Sequence, residues 1–177
     1  GSNYFFRGSQ LVLQDDLRAL AQGGSVTFDL AITIDSPLTR TQFESRYGSV
    51  LRFNNTLFIV DADYPLEFWN GVIRVAGAIT GPGRVVVAGT ELYLEGSTAN
   101  TFGGNLAVNH NGVLYLNKTT ANAAIPTGCI VERGAGAGWV RWLRAEQVAA
   151  SALFQGVFLD LNNQAETVTD FITSSVL

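Results

Sequence analysis

Residues 104–116 read GNLAVNHNGVLYL, two short runs of alternating apolar residues on either side of the turn 109–112. Gly112 can adopt a positive φ at no steric cost, and asparagine tolerates it better than most residues. Taken alone, the stretch predicts a β-hairpin. A glycine followed by an alternating run recurs along the whole chain, however, and that recurrence indicates a coil of stacked strands instead.

The recurring glycines stand 18 to 26 residues apart, with a mean of 22, and a period in this range is typical of solenoids. They are Gly24, Gly48, Gly71, Gly89, Gly112, Gly138 and Gly156. Because side chains alternate along a strand, each following run has an outer and an inner face. The predicted outer residues are Thr27, Arg52, Arg74, Glu91, Asn117, Arg141 and Asp160. The predicted inner pairs are Val26/Phe28, Leu51/Phe53, Ile73/Val75, Leu92/Leu94, Leu114/Leu116, Val140/Trp142 and Leu159/Leu161.

Further alternating runs lie between these, at residues 30–34, 57–60, 78–80, 84–87, 106–108, 129–131 and 167–172. Two or three short strands per period make one coil, and stacked coils bury a continuous core. The chain is therefore predicted to be all-β, a right-handed parallel β-helix (β-solenoid) of about seven coils. An antiparallel sandwich is the alternative fold. In the β-helix register Tyr93 stacks on Tyr115, and Arg141 pairs with Asp160.

The two ends of the chain differ from the repeats. Residues 1–13 are predicted to be an N-terminal apolar arm that packs on the body or on a neighbouring molecule, and residues 14–177 the β-solenoid domain. Residues 15–22 (DDLRALAQ) predict a short helix that caps the first coil, since aspartates precede it and Gly23 follows it. Residues 167–177 (TVTDFITSSVL) are β-prone and carry no cap, so subunits are expected to join head to tail.

Composition excludes some classes of function. The 177 residues are 47% hydrophobic and 15% charged, and the net charge of −4 argues against nucleic acid as a partner. No run of about 18 apolar residues is present, so we expect no membrane span. The single cysteine, Cys129, is expected to be a small core residue.

Candidate sites each have a simpler structural interpretation. Asp61 and Asp63 would be paired carboxylates if they shared a strand, as in a polysaccharide-cleaving enzyme, but a solvated corner is favoured. His110 lies in a turn, without neighbours at metal-ligand spacing and badly placed as a base for Cys129. The glycines of 134–138 lack the lysine of a phosphate loop. Tyr93 and Tyr115 could stack on sugars, although a ladder between coils is the commoner role.

Several of these pieces follow one another in an order that resembles a known repeat. They are residues 79–83 (ITGPG), 89–96 (GTELYLEG), 100–104 (NTFGG), 106–108, 111–114, 159–162 (LDLN) and 166–168 (ETV). In this order they resemble the autotransporter-associated β-strand repeat, also called the passenger-associated transport repeat, over residues 78–173. The resemblance implies a right-handed parallel β-helix outside a Gram-negative-type cell. Trp139 and Trp142 lie where that family more often carries smaller aliphatic residues.

The sequence thus predicts a non-enzymatic extracellular structural module, namely a stalk, adhesin or fibre subunit, with no catalytic, cofactor or metal residues. A carbohydrate-processing or glycan-binding β-helix is the alternative. Expected partners are further copies of the chain, joined head to tail, with surface glycans or other cell-surface proteins as further candidates. The expected location is secreted or at the cell surface.

Overall fold

The computed structural model describes residues 1–20, 22–37, 40–168 and 170–172, the last of these as backbone. These residues contain nineteen β-strands and no helix. The strands are β1 (Asn3–Leu13), β2 (Leu17–Ala19), β3 (Ser25–Ile34), β4 (Thr41–Ser45), β5 (Val50–Phe53), β6 (Leu57–Ile59), β7 (Leu66–Trp69), β8 (Val72–Val75), β9 (Ile79–Gly81), β10 (Val85–Ala88), β11 (Glu91–Gly96), β12 (Thr101–Phe102), β13 (Leu106–Asn109), β14 (Gly112–Lys118), β15 (Ile130–Arg133), β16 (Gly138–Trp142), β17 (Leu153–Gln155), β18 (Phe158–Asp160) and β19 (Asp170–Ile172).

All pairings between these strands are parallel, which confirms a parallel β-solenoid rather than a sandwich. One sheet stacks eight strands, from β2 through β4, β7, β10, β13, β15 and β17 to β19, so about seven turns separate its ends. The other sheet has eleven strands and divides in two, because β3 pairs with β5 through residues 25–28 and with β6 through residues 32–34. The right-handed coil stays a prediction.

Three faces result from this pairing. The ladder face consists of β5, β8, β11, β14, β16 and β18 with the first halves of β1 and β3. The second face consists of β6, β9 and β12 with the second halves of β1 and β3. The third face is the eight-stranded sheet.

The predicted register of the ladder face is confirmed in phase. Inner residues of successive turns are Cα partners, as in the series Leu51, Ile73, Leu92, Leu114 and Val140, and all five are fully buried. The last predicted inner residue is wrong, because Leu161 is 45% exposed. The strand ends at Asp160, and the positive φ values of Asn162 (48°) and Asn163 (59°), just after Leu161, turn the chain away from the sheet.

Aromatic side chains fill the N-terminal part of the core. The ring of Phe6 stacks on Phe28 at 4.8 Å, Phe28 stacks on Phe53 at 5.5 Å, and Phe53 stacks on Phe43 at 5.0 Å. Centroid distances of 4.5–7 Å are those of favourable aromatic pairs. From Phe53 the inward column continues through the aliphatic residues of the next three turns to Trp142, which is fully buried near the other end.

The stretch 104–116 forms a corner of the coil and no hairpin. β13 belongs to the third face and β14 to the ladder face, and each pairs with strands of neighbouring turns. The positive φ values fall on His110 (50°) and Asn111 (62°) and not on Gly112. Glycine is required there by close approach instead, because an added Cβ would lie 2.8 Å from the carbonyl oxygen of Val87.

The predicted N-terminal capping helix over residues 15–22 is wrong. Residues 17–19 form β2, which pairs with β4. The carboxylate that was expected to cap a helix, that of Asp16, accepts a hydrogen bond from the backbone N–H of Gln42 at 2.8 Å and contacts Arg18 at 3.0 Å. A stretch of eight residues has a weak intrinsic helical preference, and the open backbone edge of β4 overrides it.

Residues 1–13, expected as an apolar arm, form the long strand β1 along β3. In this register Phe5 lies beside Thr27, and Arg52 lies on the other side of the threonine. Thr27 therefore points outward, as predicted, but its neighbours cover it and only 4% of it is exposed. Part of the expected uncapped run at residues 167–177 lies outside the described residues.

Candidate functional site

The outer surface of the ladder face carries a continuous column of side chains, which we call the central column. In register order it contains Phe5, Thr27, Arg52, Arg74, Tyr93, Tyr115, Arg141 and Asp160. The rings of Tyr93 and Tyr115 stack with centroids 4.3 Å apart and planes 6° apart. This confirms the predicted aromatic ladder.

Charged groups extend the ladder on both sides of the tyrosines. The guanidinium of Arg74 lies over the Tyr93 ring, 4.1 Å from its centroid, and donates to Glu95 at 3.0 Å. On the other side Arg141 donates through Nε to Asp160 at 2.6 Å, as predicted. Such partly exposed pairs contribute only about 0.2–1 kcal/mol each. Both faces of the Tyr93 ring are covered, so this ring is not free to stack on a sugar.

The Tyr93 hydroxyl sits in an acidic, partly desolvated position. It donates a hydrogen bond to Glu91 at 3.1 Å. Partial burial, together with this carboxylate, raises the pKa of the Tyr93 hydroxyl above its usual value. The hydroxyl therefore remains a neutral donor that ties two outward positions of one strand together.

A second outward column, the flanking column, runs beside the first. It contains Val50, Val72, Glu91, Val113, Trp139 and Phe158. Trp139 and Phe158 stack at 4.9 Å with planes 27° apart, and both are more than 40% exposed. An open groove of about 220 Å³ lies between the two columns, lined by Val113, Tyr115, Trp139 and Arg141. We call this groove the indole slot.

The N-terminal end of the stack is uncovered. Tyr4 and Phe6 occupy inward positions of β1, in register with Val26 and Phe28, yet they are 51% and 48% exposed. The second edge of β1 has no partner strand among the described residues. A cavity of about 100 Å³ opens beside Phe6 and reaches Leu51 in the third turn. The core is therefore accessible from this end.

The aspartate pair proposed from sequence lies in a corner and not in a strand. The carboxylate of Asp61 accepts a hydrogen bond from the backbone N–H of Asp63 at 2.8 Å, which closes a local turn between β6 and β7. Asp63 is exposed. The two side chains are thus arranged as a turn motif, as the simpler interpretation predicted.

The other sequence candidates are also separated from one another. His110 is exposed at the corner before β14, with its ring edge-on to Trp69 at 5.6 Å. Cys129 is buried immediately before the third-face strand β15, and burial raises the pKa of its thiol to about 12. The glycine-rich segment 134–138 forms a corner that accepts the backbone N–H of His110 and of Asn111. In the described chain no three His, Cys, Asp or Glu side chains come together to hold a metal ion.

Lys118 is one of two buried charged residues within the described ranges that were not found from the sequence, the other being Glu44. Lys118, the sole lysine of the chain, is fully buried at the end of β14. Its Nζ donates to the carbonyl oxygen of Gly77 at 2.6 Å. The side chain thus reaches beyond Gly96, the residue paired with Lys118 on the adjacent strand. Burial lowers the pKa of the Lys118 ammonium to about 8, and the charge of Glu95 partly opposes this shift. The alternation along β14 could have revealed this, because Lys118 lies on the same face of the strand as the inward residues Leu114 and Leu116.

A second network, centred on the half-buried Glu166, closes the far end of the core. Glu166 accepts hydrogen bonds from the indole N–H of Trp142 at 2.6 Å and from the backbone N–H groups of Gln147 and Val148. The amide of Gln147 in turn bonds both backbone groups of Lys118. Three donors on one carboxylate make this contact a structural clamp.

Comparisons with protein-family models, with curated proteins and with solved structures find no match for this chain. Among the residues that the structure describes, none form a helix long and apolar enough to cross a membrane.

Proposed function

We propose that this protein is a non-enzymatic extracellular structural module, a stalk, adhesin or fibre subunit, that extends by head-to-tail association. The observation that carries the proposal is the uncovered N-terminal end. Inward aromatic side chains stand half exposed there beside an edge of β1, eleven residues long, that has no partner strand among the described residues. Such an edge is a template for another strand. The extracellular location rests on the resemblance to autotransporter-associated repeats.

The ladder face supports a structural role. Its central column is satisfied internally, since Tyr93 and Tyr115 stack on each other and Arg141 pairs with Asp160. Contacts between neighbouring turns contribute directly to the stability of a solenoid. A heterologous contact between one end and the other repeats without closing, so it builds a fibre.

The test is light scattering of the purified chain over a range of concentrations, with two matched variants of β1. Phe6→Lys places a charge at an inward position of the uncovered end, where a partner would bury it. Phe5→Lys places the same charge on the outward side of the same strand. We expect the mass of the wild-type chain to grow with concentration, Phe6→Lys to reduce this growth strongly, and Phe5→Lys to reduce it less.

A strictly monomeric wild-type chain at every concentration would contradict the proposal. It would favour a preceding coil of a longer solenoid as the natural cover of this end. The non-enzymatic part has its own test on polysaccharides incubated with the protein, which we expect to remain unchanged. Cleavage that is lost in Asp61→Asn or in Asp63→Asn would overturn it.

A further inference from the structure

The indole slot is an interruption of the flanking column. Val113 is the register partner of Trp139 on one side and of Glu91 on the other. Phe158 stacks on one face of the Trp139 indole, so the opposite face is turned toward Val113. The short valine side chain leaves that face open, and this space is the groove of about 220 Å³.

The width of the slot follows from the strand spacing. Glu91 and Trp139 lie two strands apart, which is about 9.6 Å between their backbones. A flat ring placed between them makes a contact of about 4 Å on each side, and so needs about 8 Å. The slot therefore accommodates one six-membered ring above Val113, in the place that an aromatic residue would take in an unbroken ladder.

The groups around the slot select a neutral polar ring. Arg141 uses its Nε for Asp160, so its two terminal NH₂ groups remain to donate. Glu91 already accepts the Tyr93 hydroxyl through one oxygen and keeps the other to accept. Charges of both signs stand beside the slot, with Arg141 paired to Asp160, so net charge favours neither a cation nor an anion there. A ring with an apolar face and hydroxyl groups at its edge can use the indole, the donors and the acceptor together.

We propose that the indole slot binds one neutral hexopyranose residue of a glycan, stacked on the open face of Trp139. The ring hydroxyls meet Arg141, Tyr115 forms the side wall, and Glu91, the register partner of Val113, faces the other side of the ring. This site is independent of the association proposed above, because it lies on the ladder face at strands β11 to β16, away from β1. It adds a binding function to the structural one.

The test uses methyl β-D-glucopyranoside, in which all ring substituents are equatorial and both ring faces are apolar. Saturation-transfer NMR on the purified chain should show transfer mainly to the axial protons of one ring face, either H1, H3 and H5 or H2 and H4, since only one face stacks on the indole. For one ring in one open slot we expect a dissociation constant of about 1 mM. Trp139→Phe, with a smaller ring, should bind more weakly.

Val113→Phe is the decisive variant. The new ring would occupy the slot, stack on Trp139 and continue the aromatic column, so the fold is retained while binding weakens by about tenfold or more. Val72→Phe is the matched control, since Val72 lies in the same column on the far side of Glu91 and should leave binding unchanged.

Three results would overturn the proposal. They are no saturation transfer to the glucoside, binding by Val113→Phe equal to that of the wild type, and binding of tetramethylammonium in preference to the glucoside. A monomeric chain that binds the sugar would contradict only the association, and a fibre that does not bind it would contradict only the slot.

Discussion

Replacing the buried lysine tests the interior of the solenoid most sharply. Lys118→Met keeps the length of the side chain and removes its charge from a site with no exposed surface. Burial lowers the pKa of the Lys118 ammonium to about 8, whereas the unfolded chain restores it to about 10.5. Between these pH values the unfolded chain binds a proton that the folded chain does not. The free energy of unfolding of the wild type therefore gains a contribution that grows as the pH rises through this range.

The size of this contribution follows from the two pKa values. One pKa unit corresponds to about 1.4 kcal/mol, so the interval gives about 3 kcal/mol between neutral pH and the upper pKa. Cys129, whose raised pKa of about 12 acts in the opposite direction at high pH, is present in both proteins. Its contribution cancels in the difference between wild type and variant.

The assay is urea unfolding followed by circular dichroism, from about pH 7 to about pH 10.5. The difference in unfolding free energy, wild type minus Lys118→Met, should rise by about 3 kcal/mol over this range. As a control, Asn117→Lys adds an amine at the outward neighbouring position, and its difference from wild type should stay nearly constant. If the difference in unfolding free energy between wild type and Lys118→Met does not depend on pH, the conclusion that burial lowers the pKa of Lys118 is refuted.

Three further predictions concern the register and its contacts. Leu116→Asp should abolish the folded circular dichroism signal because it buries an unpaired charge, whereas Asn117→Asp should shift the melting temperature little; equal stabilities would refute the inside and outside assignment. A double-mutant cycle of Arg141→Ala and Asp160→Ala should give a coupling of about 0.2–1 kcal/mol, and no coupling at low salt would contradict the pair. Glu166→Ala leaves three donors unpaired, so it should destabilise by about 1–3 kcal/mol in urea unfolding; a neutral effect would mean that the clamp is replaced by water.

The sequence predicts the ladder face well because its signal is repeated. Each strand alternates with period two, and parallel stacking places equivalent residues of successive turns side by side. The contact between Tyr93 and Tyr115, 22 residues apart, follows from these two rules alone. The prediction fails at Leu161, which follows the last described strand of this face, since no described strand pairs with the outer edge of β18 to hold the chain inward.

Other parts of the structure depend on tertiary pairing that local sequence does not carry. Residues 17–19 have helix-forming side chains, but they become β2 because the edge of β4 is available. The indole slot needs three strands at once, with Val113 between Glu91 and Trp139. The outward phase of Trp139 is readable, since it lies two residues before Arg141. The groove can be recognised only when the register places the short side chain of Val113 beside Trp139.

Electron microscopy of the purified chain tests the proposed association most directly. A stack of eight strands at about 4.8 Å occupies about 38 Å along the solenoid axis. If the uncovered N-terminal end receives the other end of a second copy, the images should show unbranched filaments one solenoid wide with an axial subunit repeat of about 38 Å. Discrete single particles at all concentrations, or filaments formed equally well by Phe6→Lys, would contradict the account.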